Sequence, residues 1–451
     1  MKRRRPATAR GRAVEALRRV LERGERAGPL AGEMARGLSP PDQDLLRELV
    51  LGVLRWKSAL DDEIAGMCRV PLPKLAPNLR EILEVALYQA RHLDRIPAYA
   101  AVSEAVDLAR ASGGEGAARL VNGVLRGVLL LPPPPLPLPP GEGRAEGGAP
   151  AAALARHFSH PAFLVERWLA RLGAERTRAI LEADNAAPRL DLLVNPRRGT
   201  RDALREGLAR EGVAAEPSPI APLALTVQSG NPLRTRAFSE GRFSIQDVGS
   251  QLLPLLLPEG DLLVDLAAAP GGKSLSAIAH GRARRTLALD RSWGRLVRVA
   301  ENVARLGVPE VRPIAADVAA APLGSAAFGR VLLDAPCSGT GTLRKNPEVR
   351  YRVTPEAIDR LAGAQVAALA ASAALLAPGG YLLYATCSLE EEENERVVDV
   401  VVGRAPELEK APIAAPPGLE PFVDGARLRL FPDASTDGFT AHLLRRRPRE
   451  P

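Results

Sequence analysis

Aromatic residues make up only 4% of this 451-residue chain, and cysteine and histidine occur just three and five times. Cys68, Cys337 and Cys387 are an odd number, at spacings that match neither a disulfide framework nor a zinc site. A reducing compartment, the cytoplasm, is therefore expected. The histidines form no cluster, so no metal is expected either. Long apolar runs are missing as well. The most apolar stretch, residues 366–376, is alanine-rich, too short to span a bilayer, and stopped by Pro378-Gly379-Gly380. The first twenty residues are punctuated by arginines, so neither a secretory signal nor a membrane role is expected.

Against these absences stand 46% hydrophobic and 25% charged residues, the composition of a globular protein able to bury several cores. At about 150 residues per domain, the length suggests roughly three units. The net charge is +8, with basic clusters at Lys2, Arg3, Arg4 and Arg5 and at Arg445, Arg446, Arg447 and Arg449. Phosphate neutralisation favours a polyanionic partner for such a chain. An arginine-rich composition bias on solvated tails would read the same, so charge alone leaves both open.

From residue 13 to 130 apolar residues recur at helical spacing, as in Ala13, Ala16, Leu17, Val20 and Leu21, or Leu120, Val121, Val124, Leu125 and Val128. A helical bundle over 1–130 is expected, with Asp42 and Asn78 where N-caps would open helices. Residues 131–150 pass from a polyproline half to a Gly-rich half and read as a linker. Residues 151–243 mix helical patterns at 163–172 and 201–211 with strand patterns at 190–194 and 223–227, a small α+β unit. Its basic turn Asn195-Pro196-Arg197-Arg198-Gly199 fits either an RNA contact or an exposed loop.

From 244 to 451 the pattern becomes short strands alternating with helices: 261–266, 286–289, 311–315, 330–333 and 381–385. That predicts a doubly wound α/β domain with a parallel sheet, closed by an antiparallel pair at 427–431 and 439–445. Ligands of such sheets bind at the carboxyl ends of the strands. Asp265, Asp290, Asp317, Asp334 and Cys387 each fall at such an end, so they are expected to converge on one crevice.

The segment 265–274, DLAAAPGGKS, reads as strand, tight turn and helix start, a loop that lets backbone approach a nucleotide or adenosylmethionine. A Walker-type phosphate loop would need glycine where Ala267 stands, and the three spaced glycines of a dinucleotide loop are also absent. Asp290, roughly 20 residues after the glycine turn, can accept hydrogen bonds from ribose hydroxyls. Asp317 can face an adenine amino group. DAPCSGTG at 334–341 and ATCS at 385–388 place Cys337 and Cys387 at strand ends beside Asp334. Two such cysteines suggest nucleophilic chemistry. Carbon 5 of cytosine is a poor nucleophile, and addition of a thiolate at carbon 6 makes it enamine-like and able to accept a methyl group. An acid must protonate ring nitrogen 3 meanwhile, a task Asp334 can perform. Ser388 to Glu391 reads as a capping box. Glu390, Glu391, Glu392, Glu393 and Glu395 read as charges favouring the start of the next helix.

Taken together, AAPGGK, DAPCSGTG and ATCS resemble the RNA cytosine-5 methyltransferase family, and specifically its bacterial Sun/Fmu-like branch acting on small-subunit rRNA. The front of the chain resembles the RNA-binding antitermination factor NusB, and 151–243 resembles the family's small RNA-binding domain. The resemblance implies a multidomain protein: an all-α NusB-like bundle, a small α+β RNA-binding domain, and a Rossmann-like class I methyltransferase domain. It also implies transfer of a methyl group from S-adenosylmethionine to C5 of a cytosine in 16S rRNA, by a monomeric enzyme.

Carried over, it implies that Ala267, Ala268, Ala269, Pro270, Gly271, Gly272 and Lys273 line the adenosylmethionine site, with Asp290, Asp317 and Asp334 as further contacts. Cys387 would be the attacking thiol, Cys337 would assist product release, and Asp334 and Lys273 would complete the catalytic set. Family members usually have cysteine where Ala267 stands, and a second aromatic where Asp437-Gly438-Phe439-Thr440-Ala441 closes the chain. With so few rings, base stacking must rely on few aromatics or on arginine planes. A tRNA cytosine-5 methyltransferase and a non-catalytic ribosome assembly factor are the competing expectations.

Overall fold

A computed structural model of the protein describes residues 8–76, 78–133, 149–318 and 323–448. Most of the Pro/Gly-rich segment and the outermost basic residues lie outside the described residues. The chain forms two compact units, Met1–Ala186 with Leu343–Val353, and Ala187–Thr342 with Thr354–Pro451.

The first unit is helical: α1 (Ala9–Arg23), α2 (Ala27–Met34), α3 (Pro40–Met67), α4 (Leu79–His92), α5 (Ala98–Leu129), α6 (Ala149–His157) and α7 (Ala162–Asn185). Local chemistry sets the ends. Thr8 accepts from the Gly11 N–H, and Gly24 closes α1 at φ 68°. The N-cap of α3 is Ser39, which accepts from the Asp42 N–H, with Pro40 at the first helical position. Asp42 therefore lies in the first turn and is not the cap, and Asn78 stands at the start of α4 without a capping hydrogen bond. The periodic residues Ala13, Leu17, Val20, Leu83, Val121 and Leu125 share one core. Packing there is close. A Cβ on Gly52 would sit 2.1 Å from Tyr88 Cζ.

Two parts of this unit come from unexpected places in the sequence. The helix pattern at 163–172 continues to Asn185, interrupted only at Gly173 with φ 78°, and the whole of α7 belongs here. So does Leu343–Val353. Its Arg350 is 4% exposed and donates to the Arg55 carbonyl at 2.7 Å, Asn185 Oδ1 at 2.7 Å, the Asp184 carbonyl at 2.9 Å, and the Phe158 and Ser159 carbonyls at 3.1 and 3.4 Å. Tyr351 donates to the Leu54 carbonyl at 2.6 Å.

The second unit opens with a four-stranded antiparallel sheet of order β2-β3-β1-β4, built from β1 (Leu190–Val194), β2 (Ala214–Pro217), β3 (Ala224–Ser229) and β4 (Phe243–Ile245). Helices α8 (Arg201–Arg210) and the one-turn α9 (Arg236–Ser239) accompany it. The larger sheet contains β5 (Gly260–Leu266), β6 (Ala283–Asp290), β7 (Val311–Ala315), β8 (Phe328–Asp334), β9 (Leu376–Thr386), β10 (Leu408–Lys410), β11 (Val423–Asp424), β12 (Arg427–Leu430) and β13 (Phe439–Arg446). Its order is β11-β12-β13-β9-β8-β5-β6-β7, with β10 on β13. Strands β7, β6, β5, β8 and β9 pair in parallel, while β13 runs antiparallel to β9 and β12 to β13.

Helices α10 (Val248–Leu252), α11 (Gly272–Ala279), α12 (Trp293–Leu306), α13 (Pro355–Ala374) and α14 (Glu395–Arg404) cover this sheet. The period of two divides its core. Leu332 and Leu383 join Val248 and Leu252 on one face, whereas Val331, Leu333, Leu382 and Tyr384 pack with Leu369, Val397 and Val401 on the other. Among the described residues no helix is long and apolar enough to cross a membrane.

Replacing Arg350 by alanine removes a donor from five buried acceptors, of which the Phe158 carbonyl keeps His160 and Asn185. It should destabilise the helical unit by roughly 3–5 kcal/mol, read as a lowered urea midpoint for the loss of its helical signal.

Candidate active site

The order of the larger sheet reverses at β5: the chain moves to β6 and β7 on one side and later to β8 and β9 on the other. Such a switch point leaves a crevice beyond the carboxyl ends of β5, β6 and β8. Asp265 lies one residue before the end of β5, and the backbone then turns sharply. Ala267 has φ 64°, the Ala269–Pro270 peptide is cis, and Gly271 has φ 98° as it opens α11. A Cβ on Gly271 would stand 3.0 Å from Val299, so the turn requires glycine there.

Asp290, 3% exposed at the end of β6, holds this turn. Its carboxylate accepts from the Ala269 N–H at 3.3 Å and the Ser292 N–H at 2.8 Å, and pairs with Arg295 at 3.2 Å. Arg295 also donates to the Ala269 carbonyl. Reading the sequence missed Arg295; its only signal was a position in the first turns of the helix after Asp290. Asp317 is exposed just past the end of β7. The basic turn at Asn195 faces inward in part, with Arg197 paired to Glu310 at 2.9 Å and Asn195 donating to the Gly241 and Leu306 carbonyls.

Lys273 begins α11, and its Nζ donates to Asp334 at the end of β8. Burial opposes its charge, but Asp334, Asp265 and Cys387 outweigh that penalty and raise its pKa. Strands β8 and β9 pair with Asp334 opposite Ala385, and the Ala335 N–H donates to the Ala385 carbonyl at 2.8 Å. Cys337 and Cys387 leave those strand ends side by side, with their Sγ atoms 3.3 Å apart. Gly341 holds the two loops together. Its N–H donates to the Cys387 carbonyl at 2.9 Å, and a Cβ there would lie 2.6 Å from the Gly438 carbonyl. The Cys337 thiol is pushed well above its usual range by its hydrogen bond with Cys387, by burial, and by the charges of Cys387, Glu393 and Asp334.

The expected capping box is absent. Ser388 accepts from the Glu390 N–H and donates to Glu393 at 2.5 Å, because residues 391–393 form a single 3-10 turn whose last side chain points into the protein. Glu393 was a residue whose place the sequence did not disclose.

The crevice suits an adenosylmethionine. Asp290 lies beside a turn of small residues, and the first N–H groups of α11 have no helical partner. Asp265 adds a buried carboxylate whose Oδ1 has no hydrogen-bond partner. Among the described residues no group of His, Cys, Asp or Glu could hold a metal ion.

The chain is similar to known proteins. The profile of a family described as 16S rRNA methyltransferase RsmB/F matches residues 253–445, that of the NusB family matches 7–129, and that of a ferredoxin-like domain of RsmF/B-like methyltransferases matches 160–234. The probable ribosomal RNA small subunit methyltransferase B of Bacillus subtilis (strain 168) is 33% identical, over 91% of this chain and 92% of its own length. The ribosomal RNA small subunit methyltransferase B of Klebsiella pneumoniae subsp. pneumoniae is 32% identical, over 88% of this chain and 90% of its own. The crystal structure of PH0851, 27% identical, covers 98% of this chain and 100% of its own with a TM-score of 0.77.

Burial pushes the Asp265 pKa up to about 7, against the pull of Ser274 and Lys273. A raised folded-state pKa means that stability present below about pH 4 is lost as pH rises through about 7. Asp265→Asn should flatten the fall in melting temperature between those limits, worth at most about 4 kcal/mol. A melting curve series at pH 4 to 8 measures it; equal slopes in both proteins would remove the assignment.

Proposed function

We propose that this chain, which belongs to the RsmB/F family of S-adenosylmethionine-dependent 16S rRNA methyltransferases, methylates carbon 5 of a cytosine in small-subunit rRNA through a covalent bond from Cys387 to carbon 6. The observation that carries this reading is the pair of thiols 3.3 Å apart beside the Lys273–Asp334 pair. One sulfur can attack while the other stays protonated.

Residues 267–273, Asp290 and Asp317 hold the methyl donor, with Asp334 at the boundary of its site. Bound S-adenosylmethionine supplies an electrophilic methyl group. Cys387 attacks as the thiolate, stabilised by a hydrogen bond from the Cys337 thiol and by the Lys273 ammonium. Sulfur bonds to carbon 6, the ring electrons shift toward carbon 5, and nitrogen 3 takes a proton from the Asp334–Lys273 pair. Carbon 5 then has the electron density to take the methyl group. Once Cys387 is bonded to carbon, Cys337 loses the first cause of its raised pKa and its most direct negative neighbour. It can now release its own proton to water, and the thiolate so formed takes the proton from carbon 5. The electrons of the broken carbon 5–hydrogen bond re-form the double bond and expel Cys387 as thiolate, and nitrogen 3 returns its proton to the Asp334–Lys273 pair. The helical and ferredoxin-like domains bind the RNA, chiefly through phosphates. A monomer in the reducing cytoplasm, where both thiols stay free, completes the reading.

Transfer of labelled methyl to unmodified small-subunit rRNA tests it. Cys387→Ala should lower transfer by about 10⁴-fold or more, and Asp334→Asn by about 10²–10⁴-fold. Cys337→Ala should accumulate a protein–RNA adduct that survives denaturing electrophoresis. Label placed on tRNA alone would move the substrate. RNA binding without transfer to any RNA would leave an assembly factor.

A further inference from the structure

Glu393 is fully buried, and among the described residues no cation lies within ion-pair distance of its carboxylate. Its charge is met instead by four donors. Oε1 accepts from the Ser338 N–H at 2.8 Å and from Gln365 Nε2 at 3.1 Å. Oε2 accepts from the Ser338 hydroxyl and from the Ser388 hydroxyl, the latter at 2.5 Å. Ser338 directly follows Cys337, and Ser388 directly follows Cys387.

We propose that Glu393 is a positioning residue for the two thiols: its buried carboxylate ties the residue after Cys337 to the residue after Cys387 and so sets the contact between the sulfurs. A hydrogen-bonded charge in a dry interior is a stiff tether, because each donor lost leaves the carboxylate uncompensated. The tether is itself braced. Gln365 also donates to the Pro336 carbonyl at 2.8 Å, and Tyr384 donates to the Glu393 carbonyl at 2.6 Å. Asn394 donates to the Ser388 and Glu390 carbonyls and accepts from Thr386, which fixes the turn that aims Glu393 inward.

The same carboxylate acts through charge. The groups acting on Cys337 are Cys387, Glu393 and Asp334, with the Lys273 ammonium on Asp334, and the negative ones hold the proton on Cys337. Glu393 thus adds to the Cys387 hydrogen bond and to burial in favouring the thiol form of Cys337. The role rests on the methyl-transfer mechanism proposed above, but its test needs neither RNA nor methyl donor.

The full-length protein is treated with iodoacetamide between pH 6 and 10, and the modification of each cysteine is followed by mass spectrometry. In the wild type Cys387 should be alkylated ahead of Cys337. Glu393→Gln keeps the shape and removes the charge. The ratio of Cys337 to Cys387 labelling at pH 8 should then rise severalfold, because lowering the Cys337 pKa raises its thiolate fraction. Methyl transfer should fall in kcat with KM for RNA unchanged. Ser338→Ala, which loses one tether and leaves the charge, should loosen the pair and lower kcat with little change in the labelling ratio. An unchanged ratio in folded Glu393→Gln overturns the proposal, as does full activity in Ser338→Ala should Glu393→Gln fail to fold. If the ratio shifts while the wild type methylates no RNA, the mechanism falls and the tether stands.

Discussion

Everything chemical in this molecule depends on the parallel pairing of β8 with β9, in the register that sets Asp334 opposite Ala385. Parallel neighbours end on the same edge of a sheet, so the loops that follow them emerge together. From that register Cys337, three residues on, and Cys387, two residues on, meet at 3.3 Å. A slip of one residue would turn the alternating side chains over, driving Leu332 and Leu383 toward α13 and α14 and Val331 and Leu382 toward α10. Burial on both faces forbids that slip. The hydrophobic core thereby specifies the distance between two sulfurs that contribute little to it.

Around this pair three buried or half-buried carboxyl groups have three different surroundings. Asp265 has one serine hydroxyl and an oxygen without a partner, and burial dominates. Asp334 has the Lys273 ammonium. Glu393 has neutral donors only. Environment thus distinguishes carboxyl groups where residue type cannot.

The sequence disclosed the parts of this arrangement that are governed by short-range patterns. The strands at 311–315 and 190–194 fall where alternation and β-branching put them, and the strands at 261–266, 330–333 and 381–385 are extended by only one to five residues at an end. Asp265, Asp290, Asp334 and the two cysteines were visible because strand ends can be counted. What escaped was decided by tertiary contacts. Asp42 has the residue type of a cap, but Ser39-Pro40 just before it makes the better start and opens α3. The helix pattern at 163–172 continued through Gly173 because Ile180 and Leu181 find a core beyond the glycine. Glu393 looked like one charge among five in a solvated run. A run of glutamates offers no sign of which member turns inward, since that is set by Ser338 and Gln365, 55 and 28 residues away.

Lys273 joins the two halves of the crevice. Its backbone belongs to the turn proposed to receive the methyl donor, and its ammonium reaches Asp334, the carboxylate proposed to serve the acceptor base. A residue shared in this way fixes donor and acceptor relative to each other without a separate clamp, and misplacement of reacting groups by even an ångström costs about a hundredfold in rate. The glycine turn sets where the lysine starts, β8 sets where Asp334 waits, and Asp290 holds the turn from the other side. Two glycines serve this in different ways: Gly341 lets its backbone approach that of Gly438, and Gly271 supplies the φ of 98° that starts α11 beside the Val299 side chain.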